Sequence, residues 1–151
     1  MAVVEFELTR VIAASIDDVF ARLADIDGYS SWMPRRGSIL RSTKQTSPGE
    51  PRLGTAYFDR TSVGNTPGEI AEFERPTRLV FHWWDCNRRG RTSMEGWPGY
   101  TLEALRDGTT LVRHHARMEV NGVQRLGLPI QRWLAVRERT ATLQALQASF
   151  W

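Results

Sequence analysis

The run from Val11 to Pro34 constrains the fold of this chain most, because it combines a strand end, a capped helix and a turn. Ser15 and Asp18 form the Ser-x-x-Asp variant of a capping box, and acidic residues are favoured in the first turn of a helix. The apolar residues that follow have the spacing of one buried helical face: Ile16, Val19, Phe20, Leu23 and Ala24. The pattern predicts a short amphipathic helix over Ser15–Ala24.

A strand is predicted before this helix and a further helical turn after it. Val4, Phe6 and Leu8 alternate with polar residues, which is the period of a half-buried strand. After the helix, Asp25–Gly28 breaks the pattern, and Tyr29–Trp32 allows one more helical turn before Pro34, which cannot continue a helix.

The middle of the chain is predicted to form strands joined by short turns. The predicted strands are Ser38–Thr43, Thr55–Val63, Glu69–Arg75, Leu79–Cys86, Met94–Leu105 and Thr109–Val120. Turn-forming residues separate them at Gly64-Asn65, Arg75-Pro76, Asn87–Gly90 and Asp107-Gly108. Ser42–Leu53 is predicted to be a flexible loop. Consecutive strands with short turns favour an antiparallel sheet.

A long helix is predicted from Pro129, where proline suits the first helical turn. Its apolar residues recur on one broad arc: Ile130, Trp133, Leu134, Ala141, Ala145 and Ala148. A helix of about 20 residues is about 30 Å long, which is enough to cross a whole sheet.

Composition and charge narrow the class of protein. With 151 residues, 41% of them hydrophobic, residues 1–151 are predicted to form one domain that can bury a core and still hold a cavity. Aromatic residues make up 10% of the chain and include six tryptophans, which suits an apolar ligand site.

The net charge is +3, but the basic clusters Arg35-Arg36, Arg88–Arg91 and Arg113–Arg117 are short and interleaved with acidic residues. We therefore expect no nucleic-acid partner.

The sequence shows no cysteine pair, no recognisable signal peptide and no long apolar run, and these features bear on where the protein is located. Cys86 is the only cysteine, so no internal disulfide can form, and Arg10 is the first cation, so no signal peptide is recognisable. No apolar run approaches the roughly 20 residues of a membrane-spanning helix. We expect a cytoplasmic protein without an integral membrane segment, a cofactor or a metal; His82 and Cys86, for example, are too far apart along one strand to share an ion. The oligomeric state is left open.

The order of these elements resembles the START-like, Bet v 1-like superfamily of polyketide cyclases, dehydrases and lipid transporters. The matching segments are Ala14–Phe20, Asp25–Pro34, Pro67–Ile70, Glu74–Leu79 and Asp107–Thr110. The resemblance implies an α+β helix-grip fold, in which a curved antiparallel sheet, two short helices and a long C-terminal helix enclose an apolar cavity.

Candidate ligand-binding residues are those expected to face such a cavity. On the last strand His114 shares a face with Val112, Ala116 and Met118, so it is predicted to point inward, either as a ligand partner or proton shuttle or as a core histidine satisfied by a neighbour. On Leu79–Cys86 the register is ambiguous. His82 and Trp84 form one candidate inward set, and Phe81 and Trp83 the other, with core packing as an alternative role for either.

The remaining candidates are aromatic residues and one arginine. Tyr57 and Tyr100 are possible phenolic donors, and Trp32 is placed by the resemblance near the cavity, either as a ligand contact or as a structural plug. Trp133 lies on the apolar arc of the last helix. Arg137 falls within the same arc, where it could hold an acidic ligand or pair with a carboxylate such as Asp59 or Glu103.

These observations favour a carrier or sensor of a small hydrophobic or aromatic molecule, because no acid/base pair can be placed from the sequence and no catalytic residue is assigned. One alternative is an aromatase/cyclase-like enzyme acting on a poly-β-ketone. A second is a co-chaperone-like or quinone/lipid accessory module.

Overall fold

The computed structural model describes residues 2–86 and 89–151, without the side chains of residues 86 and 123–125. Seven strands form one sheet: β1 (Ala2–Ile12), β2 (Leu40–Gln45), β3 (Ala56–Thr61), β4 (Gly64–Glu74), β5 (Arg78–Cys86), β6 (Thr92–Ala104) and β7 (Thr110–Val120). The helices are α1 (Ile16–Ala24), α2 (Leu128–Ala148) and two 3-10 helices, Asp27–Ser31 and Gly122–Gly127.

The sheet is antiparallel throughout, with strand order β1-β7-β6-β5-β4-β3-β2. Because β1 pairs with β7, the two ends of the strand region lie side by side, and α1 follows β1 directly. The sheet curves around α2, which confirms the predicted helix-grip architecture.

The capping box places α1 where the sequence predicts it. The Ser15 hydroxyl accepts a hydrogen bond of 3.2 Å from the backbone N–H of Asp18, so one of the free donors at the start of the helix is satisfied. The apolar face of α1 enters the core, where Phe20 is fully buried and its ring contacts Phe73 edge to face at 5.3 Å. The predicted second helical turn is the 3-10 helix Asp27–Ser31.

Most strand boundaries differ from the prediction by one or two residues, and two differences affect a predicted turn and a predicted loop. Gly64 and Asn65 are not a turn: they pair with Thr61 and Arg60 as the first residues of β4, and the tight turn is formed by Ser62 and Val63. Strand β2 also continues to Gln45, into the segment predicted as a loop, because Gln45 pairs with Tyr57 of β3; its N–H donates to the Asp27 carboxylate at 2.8 Å. The predicted Asn87–Gly90 turn lies partly outside the described residues.

The turn at Asp107-Gly108 agrees with the prediction. Gly108 has φ 82°, a left-handed conformation that glycine adopts without strain. Asp107 supports the turn, because its carboxylate accepts a hydrogen bond of 3.1 Å from the Thr109 N–H.

Helix α2 presents a different face to the sheet from the one predicted. Its buried residues are Thr142, Leu143 and Leu146, whereas Ile130 and Trp133 are 65% and 59% exposed. The reason is that α2 carries apolar residues on more than one side, so periodicity does not define a single phase. Only its C-terminal half packs into the core, and the N-terminal half lies above a cavity.

Among the described residues, no helix combines the length and the apolar character needed to cross a lipid bilayer.

Replacement of Leu143 by alanine tests how α2 is held. Leu143 is 1% exposed, so Leu143→Ala should lower the free energy of unfolding by about 2–5 kcal/mol. The neighbouring Gln144 is exposed, and Gln144→Ala should change stability by no more than about 0.5 kcal/mol. Urea unfolding of both variants measures this, and equal effects would contradict the described phase of α2.

Candidate functional site

A cavity of about 570 Å³ lies between the concave face of the sheet and α2. Its size is within the range of sites that hold small organic molecules. One wall is built from β3, β5 and β6, a second from α2, and a third from the 3-10 helix Asp27–Ser31 and the segment that precedes β2. The rim contains lining residues that are also exposed: Ile39, Val63, Leu134 and Arg137.

The sheet wall is mainly apolar and aromatic. Phe81 and Trp83 from β5 line it, and the Phe81 ring contacts Tyr57 edge to face at 5.7 Å. Trp83 lies across Gly96 of β6, where a Cβ atom would come within 2.6 Å of the indole. Glycine at this position therefore provides the space that the Trp83 ring occupies.

His82 and Trp84, which we predicted as lining residues, lie on the opposite face of β5 and do not line the cavity. Side chains alternate along a strand, so the inward position of Trp83 directs both neighbours outward. The His82 ring stacks on Trp97 at 4.7 Å, and its Nε2 lies 3.1 Å from the Glu95 carboxylate. This resolves the register that the sequence left ambiguous: the inward set of β5 includes Phe81 and Trp83, and the candidates His82 and Trp84 face outward.

His114 is fully buried but is not a lining residue. Its Nδ1 donates to the backbone carbonyl of Gly99 at 2.8 Å, and its ring stacks at 4.2 Å on Tyr100, which does line the cavity. Burial lowers the pKa of His114 to about 3, so the imidazole stays neutral. The inward orientation agrees with the prediction, but Tyr100 lies between this histidine and the cavity.

Trp133 and Arg137 lie outside the site or at its rim. Trp133 does not line the cavity, because its part of α2 faces solvent. Arg137 lines the rim, with its guanidinium 5.4 Å from the centre of the Trp133 ring. Two residues further along, Arg139 is the arginine that reaches inward, since a step of two residues turns a helix by about 200°.

A polar cluster forms one end of the cavity. It brings together Arg139 from α2, Asp59 and Tyr57 from β3, Tyr100 from β6, and Tyr29 from the first 3-10 helix. Of these, Tyr57 and Tyr100 were predicted as candidates. Trp32, also predicted, lines the cavity next to Tyr29, with the two ring centres 4.5 Å apart.

Asp59 is the titratable group of this cluster. Burial raises the pKa of Asp59 to about 6, although a hydrogen bond from Thr43 and the charge of Arg139 act in the opposite direction. Burial also raises the pKa of Tyr100 to about 12 and that of Tyr57 further, so both phenols keep their protons and act as donors. The cluster therefore contains neutral O–H donors, one cation and one carboxyl group that titrates near neutral pH.

Arg139 keeps its hydrogen-bonding capacity available to the cavity. Burial opposes its charge, but Tyr100, Tyr29, Glu138 and Asp59 together raise its pKa. In the described part of the chain its nearest ion-pair contact is Glu138 at 3.9 Å, and no hydrogen bond from its guanidinium is formed.

The carboxylate of Glu138 is engaged elsewhere. Its Oε2 accepts the Ile39 N–H at 2.9 Å, and its Oε1 accepts the Ser38 hydroxyl. Glu138 thus fastens the segment before β2 to α2, at the side of the cavity.

Asp59, Arg139 and Tyr29 are functional candidates that the sequence analysis did not select. For Asp59 a signal was present, because it shares a strand face with Tyr57. A carboxylate on an inward face is costly to bury unless it has polar partners, so it indicates a polar site. For Arg139 the signal was its spacing of four residues from Leu143 and Ala135. The broad apolar arc of α2 obscured that signal.

The raised pKa of Asp59 makes stability depend on pH. Because the folded state binds this proton more tightly than the unfolded chain, stability decreases as the pH rises from about 4 to about 6. Asp59→Asn removes this charge, so it should be more stable than the wild type by about 1–3 kcal/mol at about pH 7, and the difference should disappear at about pH 4.

Asp107→Asn is the matched control, because its effect on stability at neutral pH should be opposite in sign to that of Asp59→Asn. Hydrogen bonds from Thr109 lower the pKa of Asp107, so this exposed carboxylate stabilises the fold above its ordinary pKa. Asp107→Asn should be less stable than the wild type at neutral pH and equal to it in acid. Urea unfolding across this pH range measures both, and an Asp59→Asn variant that is less stable at every pH would contradict the account.

Solved structures with the same fold are similar to this chain at low sequence identity. An aromatase/cyclase from Streptomyces sp. R1128 aligns with a TM-score of 0.75 and 13% identity, covering 98% of this chain and 93% of that one. A START superfamily protein from Mycobacterium smegmatis aligns with a TM-score of 0.70 and 13% identity, covering 97% of each. A hypothetical protein from Helicobacter pylori aligns with a TM-score of 0.76 and 14% identity, covering 99% and 88%.

At these identities the structural neighbours establish the fold alone. Among proteins with curated functions, none matches this sequence. A family model is more specific: the model of polyketide cyclase / dehydrase and lipid transport proteins matches residues 3–150. The match spans nearly the whole chain, and the predicted resemblance is thereby confirmed: the chain belongs to the polyketide cyclase / dehydrase and lipid transport family.

Proposed function

We propose that this protein binds a small hydrophobic or aromatic molecule in the cavity and holds an oxygen atom of that molecule at Arg139. The observation that carries the proposal is a guanidinium without a hydrogen-bond acceptor in the described part of the chain, at one end of an aromatic-walled cavity. Guanidinium groups bind carboxylate, enolate and carbonyl oxygens with two or more donors in one plane. A ligand with an apolar body and an oxygen at one end fits both features.

The two parts of the site contribute differently to affinity. Burial of an aromatic body against Phe81 and Trp83 contributes roughly 25 cal/mol for each Å² of apolar surface removed from water. A hydrogen bond to a charged group contributes about 1.5–3 kcal/mol. The apolar wall therefore supplies much of the affinity, and Arg139 sets the orientation of the ligand.

Naphthoate is a suitable probe, because it has an aromatic body and one carboxylate. Arg139→Met keeps most of the side-chain volume but removes the donors, so it should weaken naphthoate binding by about tenfold or more. Arg137→Met is the matched control, since Arg137 lies at the rim, and it should change the affinity by no more than about twofold. Tryptophan fluorescence follows the titration. Failure of the wild type to bind, or equal losses in both variants, would contradict the proposal.

A second candidate function, cyclisation and dehydration of a poly-β-ketone, is favoured by Asp59. A carboxyl group with a pKa of about 6 next to Arg139 and two protonated phenols is a suitable arrangement for acid/base chemistry near neutral pH. A solved relative with this fold is an aromatase/cyclase, and the family name includes cyclases and dehydrases.

The chemistry can be written with these residues alone. The Asp59 carboxylate removes a proton from a methylene between two carbonyl groups, and Arg139 stabilises the enolate oxygen that forms. The enolate carbon attacks a second carbonyl, which takes a proton from Tyr57 or Tyr100 as it becomes a hydroxyl. Protonated Asp59 then donates its proton to this hydroxyl, which leaves as water, while the tyrosinate removes a proton from the neighbouring carbon, so that the double bond of the ring forms and both residues regain their starting states.

The variant Asp59→Asn distinguishes the enzymatic function from simple ligand binding. If the protein catalyses cyclisation, Asp59→Asn should lower turnover of a poly-β-ketone mimic by about 100-fold or more while binding changes only a few-fold. In the wild type the rate should rise with pH through about 6, as Asp59 ionises. A wild-type rate equal to that of buffer would exclude the enzymatic function and leave the binding function standing.

A further inference from the structure

His114 is a buried polar side chain that neither the proposed binding function nor the candidate cyclisation uses. It lies on β7 with none of its surface exposed, and it does not line the cavity. Its Nε2 has no hydrogen-bond donor in the described part of the chain. A buried acceptor without a donor is unfavourable, and an apolar side chain of similar size would avoid this cost. What the imidazole provides instead lies in the contacts of its Nδ1 and of its ring face.

The hydrogen bond and the ring contact of the imidazole both involve Tyr100 or the peptide group that precedes it. The Nδ1–H donates to the Gly99 carbonyl at 2.8 Å, and this carbonyl belongs to the peptide bond that carries the Tyr100 N–H. The imidazole lies nearly parallel to the Tyr100 ring, with 7° between the two planes and 4.2 Å between their centres. His114 and Tyr100 are also direct partners in the pairing of β6 with β7. The histidine therefore contacts the tyrosine both at its backbone and at one face of its ring.

Tyr100 lies between His114 and Leu79 on the inner face of the sheet. Leu79 is the pairing partner of Tyr100 on β5 and is fully buried, so the ring has a neighbour on each side. Among the described residues none forms a hydrogen bond with the Tyr100 hydroxyl, which lies in the polar cluster with Arg139. Because the phenol oxygen lies on the long axis of its ring, its position depends on the tilt of the ring and not on ring rotation. The two neighbours set that tilt, and the hydrogen bond to Gly99 fixes the neighbour on β7.

We propose that His114 is a positioning residue, which holds the Tyr100 ring so that its hydroxyl donates to a ligand oxygen bound at Arg139. This inference rests on the proposed binding function and deepens it, because it assigns a second donor to the ligand oxygen and the residue that directs this donor. The charge state of the imidazole suits the role. Burial and the charge of Arg139 both lower the pKa of His114, so the ring stays neutral and does not repel the guanidinium.

A double-mutant cycle on naphthoate binding tests this role, because positioning acts only through the Tyr100 hydroxyl. Tyr100→Phe should weaken binding by about fivefold or more, which is the effect of one buried hydrogen bond. His114→Phe keeps a ring against Tyr100 but removes the Nδ1 donor, so it should weaken binding by about three- to fivefold. When Tyr100→Phe is already present, His114→Phe should cause no further loss. A merely structural role would disturb the rest of the cavity and would weaken binding in both backgrounds.

A second variant covers the case in which His114→Phe does not fold. His114→Asn keeps an N–H donor near the position of Nδ1 but offers no ring to Tyr100. We expect the same loss of naphthoate affinity, and again none when Tyr100→Phe is already present.

His115→Phe is the matched control, because it makes the same change at the next position of β7. The side chain of His115 lies on the outer face of the sheet, where its Nε2 is 3.1 Å from the Arg78 guanidinium. His115→Phe should change naphthoate affinity by no more than about twofold.

Two results would overturn the role of His114 alone and leave binding at Arg139 standing. One is wild-type affinity in the His114 variant, and the other is a loss of affinity that persists in the Tyr100→Phe background. Absence of naphthoate binding by the wild type would overturn the proposed function together with this inference.

Discussion

The attachment of α2 to the sheet is the constraint on which the cavity depends. At its C-terminal end α2 buries Leu143 and Leu146 in the core, and the Arg22 guanidinium donates to the Ser149 carbonyl at 2.8 Å. At its N-terminal end it is held by Arg132 on the Glu5 carbonyl of β1. Between these points α2 runs beside β1, and the space between the helix and β3, β5 and β6 is the cavity.

Burial of charge on the middle of this helix gives the cavity its chemical character. Glu138 and Arg139 are adjacent, but the carboxylate of Glu138 is bound to Ser38 and Ile39, whereas the guanidinium faces the cavity. Removing a charged group from water is unfavourable unless polar groups surround it. Asp59 and the tyrosines provide that surrounding, and the same desolvation raises the pKa of Asp59 to about 6. The features that make the site suited to ligands are therefore the ones that reduce stability.

The elements with local signals could be predicted from the sequence. The Ser15 cap specifies the start of α1, and Asp107-Gly108 specifies the last hairpin, because each depends on residues within one turn. Tyr57 and Tyr100 were identified as possible phenolic donors from strand alternation, which is also local, whereas Trp32 was placed near the cavity by the family resemblance. The order of strands and helices then indicated the family and its architecture.

The elements that were mispredicted depend on contacts between distant segments. Both faces of β5 carry aromatic residues, and Trp83 points inward where Gly96 of the neighbouring strand provides space. The phase of α2 is set by the burial of Leu143 and Leu146, so Arg139 and not Arg137 reaches the polar cluster. The pKa of Asp59 likewise depends on burial by segments far apart in the sequence, which no local pattern encodes.

The central claim is that Arg139 anchors a ligand oxygen within the cavity, and a crystal structure of the naphthoate complex tests it most directly. The account predicts a carboxylate oxygen within hydrogen-bond distance of the Arg139 guanidinium, with the ring system against Phe81 and Trp83. Naphthoate bound at Arg137 on the rim, or on the outer face of the sheet beside His82, would contradict it.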